Sequence, residues 1–215
     1  MTRIALIHAL AHSVAPINTA FAQDWPEAVR MNLLDDSLSA DLARKGRGLD
    51  AAMHARFEAL AAYAVGTGAR GILFTCSAFG PCIARVAARH PQIPVLKPNE
   101  AMVEQAGATG RRIGLIASFA PTLQSMPPEF PTGTPLQLAL AEGAMAALNT
   151  GNGELHDSLV AAQAQRLQRE GCEVIALAQF SMARARSMCE AVTGLPVLTT
   201  VDSAVSALKR RLTSV

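Results

Sequence analysis

Two separate segments of this chain share one design, and this repetition constrains the fold more than any other feature. Gly71–Thr75 and Glu173–Ala178 are continuous apolar runs of strand length, and each leads through a short polar turn into a helix-forming segment. The first run ends at Cys76, whereas the second ends at Gln179. A continuous apolar run bounded by polar turns is typical of a strand that is buried on both faces of a parallel sheet.

Further matching pairs occur in the same order along the chain. Their ranges are Arg3–Ile7 with Arg112–Ile116, Ile93–Leu96 with Leu195–Leu198, and Glu100–Val103 with Asp202–Val205. Alternating strands and helices predict a parallel sheet flanked by helices, and the repetition predicts two pseudo-symmetric α/β halves. We expect residues 1–98 to form the first half and residues 99–199 the second. The C-terminal helix, 200–215, is expected to pack back on the first half.

Helical periodicity and loop composition predict several element boundaries. Apolar residues recur at spacings of three to four over Leu49–Val65, which predicts a long helix. Helices are also predicted over Met182–Val192, directly after the second polar turn, and over Leu155–Glu170. The proline-rich segment Pro127–Pro135 is predicted to be a loop.

Composition excludes several classes of protein. Half of the 215 residues are hydrophobic and 17% are charged, so a sizeable core is available. The net charge of +2 is scattered and aromatic residues make up only 4%, which argues against a nucleic-acid partner. The short basic groups are Arg44–Lys45 with Arg47, Arg111–Arg112, and Lys209–Arg211. No apolar run reaches about 18 residues, so no membrane span is expected.

The cysteines and histidines indicate a reducing compartment and no metal site. None of the four cysteines forms a CxxC pair, and a chain of this size does not need disulfides, which favours a cytoplasmic protein. The five histidines form no ligand cluster with carboxylates. The apolar run after Arg3 mimics a short signal peptide, but it contains His8 and is interpreted as a strand.

Small polar residues follow the predicted strands, where ligands of open parallel sheets gather. Those selected as candidate site residues are His8, Ser13, Cys76, Ser77, Ser118, Thr122, Gln179 and Ser181. Helix N-termini and hydroxyl groups at such a place would bind an anion such as a carboxylate. We expect the helix after Cys76 to lower the pKa of its thiol, and the thiolate could then act as a general base or acid.

Structural roles remain open for many of these residues. A lone cysteine after a strand is commonly a small buried apolar residue, and Ser77 and Ser181 could serve as helix caps. We expect Cys82, Cys172 and Cys189 to be structural, and His156 to be a helix-start residue. No GxGxxG, GxxxxGK[ST], GxSxG or HExxH motif occurs in a supporting context, so nucleotide cofactors and serine hydrolysis lack support.

The residues quoted above resemble the aspartate/glutamate/hydantoin racemase superfamily. The resemblance rests on the duplication together with Thr75–Ser77, Ser118–Thr122 and Leu177–Ala183. It implies two flavodoxin-like halves with a cleft between them, no cofactor, a homodimer, and one cysteine per half that moves the α-proton from opposite faces. Arylmalonate decarboxylase and maleate isomerase are relatives on the same scaffold.

Cys76 matches the first cysteine of that pattern, but Gln179 stands where the second is expected. An amide does not titrate, so it cannot be the second base. The resemblance implies that Ser77, Ser118 and Thr122 hold a substrate carboxylate, while Gln179 would orient substrate or donate to an enolate. A second base for racemisation would have to come from another group, such as His8.

We therefore predict a cofactor-independent enzyme, of racemase, isomerase or decarboxylase type, that acts at the α-carbon of a small carboxylate by cysteine-based proton transfer. The alternative is a non-catalytic paralogue that binds a small carboxylate, since one thiol is replaced. A third class, an electron-transfer protein with bound flavin, lacks a visible phosphate loop.

Overall fold

The computed structural model describes residues 1–43 and 48–213. The predicted basic group at Arg44, Lys45 and Arg47 lies outside the described residues. Within the described part, the chain forms eight strands and ten α-helices. The strands are β1 Arg3–His8, β2 Val29–Leu34, β3 Gly71–Phe74, β4 Val95–Leu96, β5 Ile113–Ala117, β6 Leu136–Leu140, β7 Val174–Leu177 and β8 Val197–Thr199.

The helices alternate with the strands along the chain. They are α1 Val14–Asp24, α2 Ser37–Ala43, α3 Ala51–Gly66, α4 Gly80–Arg89, α5 Glu100–Gly107, α6 Ala120–Ser125, α7 Ala144–Asn149, α8 Gly153–Arg169, α9 Arg186–Thr193 and α10 Thr200–Thr213. Local sequence sets several of their ends. The Asp50 side chain accepts a hydrogen bond from the Met53 N–H at the start of α3, and Asn152 caps α8 through the Leu155 N–H.

The strands form two parallel sheets, with strand orders β2-β1-β3-β4 and β6-β5-β7-β8. The sheets repeat the same register, because Ile4 pairs with Gly71 in the first and Ile113 pairs with Val174 in the second. The two central strands of each sheet are almost wholly buried and apolar, which agrees with coverage on both faces. The predicted fold class, α/β with two related parallel-sheet halves, is confirmed.

The chain divides into two compact units. The first comprises residues 1–98 together with the segment from Ala204 onward, and the second comprises residues 99–203. The first unit has a core in which α3 and α4 pack on β1 and β3, with Phe57 stacked on Phe74 at a ring-centroid distance of 5.2 Å. In the second unit, α8 and α9 pack on one side of β5 and β7. Residues of α5 pack on the other side of the second sheet.

Some of the predicted helix and loop boundaries were wrong. The helix predicted over Met182–Val192 is a 3-10 helix, Phe180–Ala185, followed by α9. The proline-rich loop contains a 3-10 turn at Pro127–Glu129. Helices α2 and α7 were not predicted, because they contain only seven and six residues. A segment this short shows no clear apolar periodicity, and helices of this length are stabilised mainly by packing.

Candidate functional site

Cys76 and Gln179 occupy equivalent positions in the two units. In the first unit the Thr75 N–H donates to the Ile7 carbonyl at 3.0 Å, and in the second the Ala178 N–H donates to the Ile116 carbonyl at 2.9 Å. The next residue in each unit has an extended backbone and precedes a 3-10 helix, Ser77–Phe79 or Phe180–Ala185. The alignment of the thiol with the amide therefore has a structural basis.

The thiol of Cys76 is partly buried at the carboxyl end of β3. It shares a small, mainly apolar recess with Ile7, His8, Ala9, Leu38, Phe57 and Phe74. Burial raises the pKa of the Cys76 thiol, and a hydrogen bond from the Ala78 N–H opposes this shift without overcoming it. The thiol is therefore protonated at neutral pH.

The expectation that a helix lowers this pKa was wrong. Cys76 precedes a 3-10 helix of only three residues, and α4 begins later, at Gly80. A single 3-10 turn supplies one N–H near the sulfur rather than the aligned dipoles of a long helix. The free-energy cost of removing the thiolate from water exceeds the stabilisation that the hydrogen bond from the Ala78 N–H provides, so the neutral thiol is favoured.

The other three cysteines are buried and free of disulfide bonds. Cys82 lies on α4, Cys172 precedes β7, and Cys189 lies on α9. Burial, with smaller contributions from Asp157 and Glu190, raises the pKa of Cys189 to about 12. Cys76 is the one cysteine of this chain with partial exposure, and all four cysteines are within the described residues.

His8 ends β1 and is fully buried, with both ring nitrogens hydrogen-bonded. Its Nε2 lies 3.0 Å from Asn32 Oδ1, which can only accept, so Nε2 carries the proton. The Nδ1 atom then accepts from the Thr75 hydroxyl at 2.9 Å. Burial lowers the pKa of His8, although the hydrogen bond to Asn32 opposes this shift. His8 is thus a neutral imidazole whose nitrogens are both engaged.

The hydrogen bonds of His8 continue to the surface of the first unit. Asn32 Oδ1 also accepts from Asn18 Nδ2 at 2.9 Å, and Arg30 donates to the Asn18 carbonyl at 2.8 Å. Sequence reasoning missed Asn18, Asn32 and Thr75 as partners of His8. One indication was available, because Asn32 is a polar residue in the otherwise largely apolar strand β2. This network fixes the end of β3 directly before Cys76.

In the second unit, the structure brings Gln179 and Ser118 together. Gln179 Oε1 accepts from the Ser118 backbone N–H at 2.7 Å and from the Ser118 hydroxyl at 3.0 Å. These contacts join the end of β7 to the end of β5. Ser118 does not engage the two Nε2 hydrogens of Gln179, and beyond Oε1 the amide can only donate.

The remaining predicted site residues follow the same strand ends. Ser13 is buried just before α1, Ser77 begins the turn after Cys76, Thr122 is buried on α6, and Ser181 is buried in the 3-10 helix after Gln179. Neither Ser77 nor Ser181 is a helix cap, because Cys76 and Gln179 occupy the cap positions of those 3-10 helices. The capping alternative for the two serines was therefore wrong.

A second polar cluster of the same unit lies at the start of α8. His156 is fully buried, and its Nδ1 atom lies 2.7 Å from Asp157 Oδ1. Arg184 Nε donates to both carboxylate oxygens of Asp157, at 2.9 and 3.0 Å. His156 is a helix-start residue, as expected.

Over residues 1–43 and 48–213, no group of three or more His, Cys, Asp or Glu residues could hold a metal ion. No helix in the same ranges has the length and apolar character of a membrane span.

Comparison with known proteins gives a family and a fold. The family model described as Asp/Glu/Hydantoin racemase matches residues 11–208. A comparison with curated proteins found no match.

Several solved structures share the fold at low sequence identity. Allantoin racemase from Klebsiella pneumoniae superposes with a TM-score of 0.73 and 20% identity, covering 99% of this chain and 88% of the other. Aspartate racemase from Picrophilus torridus gives 0.71 and 12%, covering 98% and 94%. A mutant arylmalonate decarboxylase in its sulfate-associated form gives 0.65 and 16%, covering 97% and 92%.

Proposed function

Because the chain belongs to the Asp/Glu/hydantoin racemase family, we propose that it is a cofactor-independent enzyme that uses one thiol, that of Cys76, for proton transfer at the α-carbon of a small carboxylate. One observation carries this proposal: the two repeats place a thiol and an amide at equivalent strand ends. Proton removal on one face and delivery on the other needs two titratable groups. Delivery to one face needs only one.

The neutral state of the thiol favours proton donation over proton removal. In decarboxylation of a malonate-type acid, the bond between the α-carbon and one carboxyl carbon breaks and CO2 leaves. The electron pair remains on the α-carbon and is shared with the second carboxylate as an enediolate. The Cys76 S–H then protonates the α-carbon, and the resulting thiolate recovers its proton from water. The amide hydrogens of Gln179 would stabilise the negative enediolate oxygen.

The competing reactions of this family fit the residues less well. Racemisation needs a second base, but Gln179 does not titrate and both nitrogens of His8 are hydrogen-bonded. Isomerisation through a thiol adduct needs a thiolate nucleophile, whereas burial raises the pKa of Cys76. Decarboxylation uses the thiol in the protonation state that its surroundings favour.

The proposal is tested by incubating the protein in deuterated water with arylmalonates, maleate, hydantoins and amino acids. We expect an arylmalonate to lose CO2 and to give one enantiomer with one deuterium at the α-carbon. Cys76→Ser should lower the rate by about 10²- to 10⁴-fold, the usual contribution of a general acid. Cys82→Ala is the matched control, because it removes a buried thiol elsewhere in the same unit.

A different result identifies the alternative. Saturable binding of these acids without turnover would overturn the enzyme proposal and favour a carboxylate-binding protein. Deuterium exchange into a single-carboxylate amino acid, dependent on Cys76, would instead favour a racemase.

Compartment and assembly also belong to the proposal. Four free thiols suit a reducing compartment, so we place the protein in the cytoplasm. The family resemblance suggests a homodimer, and sedimentation of the purified protein would test it.

A further inference from the structure

Ser118 makes two hydrogen bonds to one atom of Gln179. Its backbone N–H lies 2.7 Å from Gln179 Oε1, and its hydroxyl oxygen lies 3.0 Å from the same atom. A backbone N–H can only donate, so the atom that faces it must be the amide oxygen rather than the amide nitrogen. The orientation of the Gln179 amide is therefore determined by Ser118.

This arrangement changes the role expected of Ser118. Both of its donors point at Gln179, so neither is available to a substrate carboxylate while these bonds last. The amide oxygen of Gln179 is occupied, and its two N–H groups are the donors that remain. An amide held in this way cannot rotate to present its oxygen to an anion.

The backbone after Gln179 is anchored as well. Met182 N–H donates to the Gln179 carbonyl at 3.0 Å within the 3-10 helix. The far end of that helix is tied to α8, because Arg184 reaches both carboxylate oxygens of Asp157. Gln179 is thus fixed through its side chain by Ser118 and through its backbone by the following turn.

We infer that Ser118 is a positioning residue, not a carboxylate ligand: it fixes the Gln179 amide so that only N–H donors face the substrate anion. This inference rests on the proposed function, in which Gln179 stabilises an enediolate. An oriented donor pair stabilises charge that develops in the reaction without reorganising at that moment. The loss of Ser118 should therefore act on kcat more than on KM.

The first experiment needs no turnover. In heteronuclear NMR spectra of the full-length protein, Gln179→Leu should move the Ser118 amide proton upfield and speed its exchange with solvent. Ser118→Ala should move the Gln179 side-chain carbonyl carbon upfield, because one of its two hydrogen bonds is lost. Ser118→Thr keeps the hydroxyl and should restore that carbon shift. Unchanged signals in both Gln179→Leu and Ser118→Ala would overturn the inference.

The second experiment measures kinetics with the arylmalonate that is turned over. Ser118→Ala should lower kcat by about tenfold with little change in KM, as expected for one hydrogen bond. Ser118→Thr should recover most of the rate. A raised KM at unchanged kcat would overturn the inference and make Ser118 a direct ligand. If no substrate is turned over, the proposed function fails while the NMR result still decides the role of Ser118.

Discussion

At the scale of single residues, burial governs the chemistry of Cys76 more than its place at a strand end. The recess around the thiol is lined mainly by apolar side chains, among them Leu38, Phe57 and Phe74. One hydrogen bond from Ala78 opposes the burial, and the pKa remains above its ordinary value. A thiol in such surroundings resembles a buried apolar residue that can still give up a proton to a strong base.

Alkylation by iodoacetamide should reach Cys76 before the other three cysteines, because they are buried. Only the thiolate reacts, and the pKa of Cys76 is raised, so the rate should still be rising above pH 9.0, the ordinary value for a thiol. Peptide mass spectrometry of samples quenched at intervals would measure this. A rate that levels off below pH 8 would show an activated thiolate and contradict the expectation.

His8 should make the stability of the protein sensitive to acid. Its pKa is lowered below 6.5 in the folded protein, so the unfolded chain binds more protons below that pH. The contribution of His8 is therefore fully present above pH 6.5 and is lost as the pH falls through the folded-state pKa. We expect the unfolding free energy to fall with decreasing pH by up to about 1.4 kcal/mol per pH unit more steeply than in His8→Gln.

The same variant provides its own check at neutral pH. His8→Gln breaks the contacts to Thr75 and Asn32 and should cost about 1–3 kcal/mol. Urea unfolding at a series of pH values would measure both effects. Parallel pH profiles for the two proteins would mean that His8 does not titrate differently on folding.

At the scale of elements, the two units share one arrangement of strands, but a glycine in the second unit stands where the first has an alanine. Ala5 on β1 and Gly114 on β5 hold the same place in the repeat, as the matching segments Arg3–Ile7 and Arg112–Ile116 require. In the second unit α8 packs so closely that a Cβ on Gly114 would lie 2.8 Å from Leu167 Cδ1 and 3.1 Å from Ile175 Cδ1. Close packing of helix on strand thus explains the glycine.

Gly114→Val should destabilise the protein by about 1–3 kcal/mol, because the added methyl groups overpack this contact. Gly66→Ala is the matched control, since a Cβ on Gly66 of α3 meets no atom within 4 Å and the backbone there is not left-handed. That variant should be neutral or slightly stabilising. Equal midpoints of thermal unfolding for Gly114→Val and wild type would contradict the packing explanation.

At the scale of the whole molecule, duplication supplies two equivalent strand ends of which only one carries a thiol. Restoring a thiol to the second should therefore change the reaction. If the protein catalyses the proposed decarboxylation, we predict that Gln179→Cys gains exchange of the α-proton and slowly racemises the chiral acid that this reaction forms. Chiral chromatography and deuterium incorporation would measure the gain. Gln179→Ser is the control, because a hydroxyl is far too weak an acid to serve, and equal racemisation by both variants would refute the prediction.

Much of the fold followed from the sequence because its determinants are local and repeated. Apolar runs of strand length, separated by helical segments, predicted parallel sheets, and their repetition predicted two halves. Helices α2 and α7 were missed because short helices depend on packing rather than periodicity. The positions of Cys76 and Gln179 at the ends of β3 and β7 were also predicted, because strand ends are marked by a change from apolar to polar residues.

The properties of the candidate site residues were decided by tertiary structure. Whether a thiol is a thiolate depends on the atoms that surround it, and the sequence could not weigh the recess around Cys76 against one 3-10 turn. The hydrogen-bond partners of His8 are Asn32 and Thr75, and that of Gln179 is Ser118. Each partner is distant in sequence from the residue it contacts. The α/β repeat and the unequal pair of thiol and amide can be recognised from the order of residues alone. Which of these groups is protonated, buried or held in one orientation follows from the folded structure, because hydrogen bonds and desolvation depend on neighbours that only folding brings together.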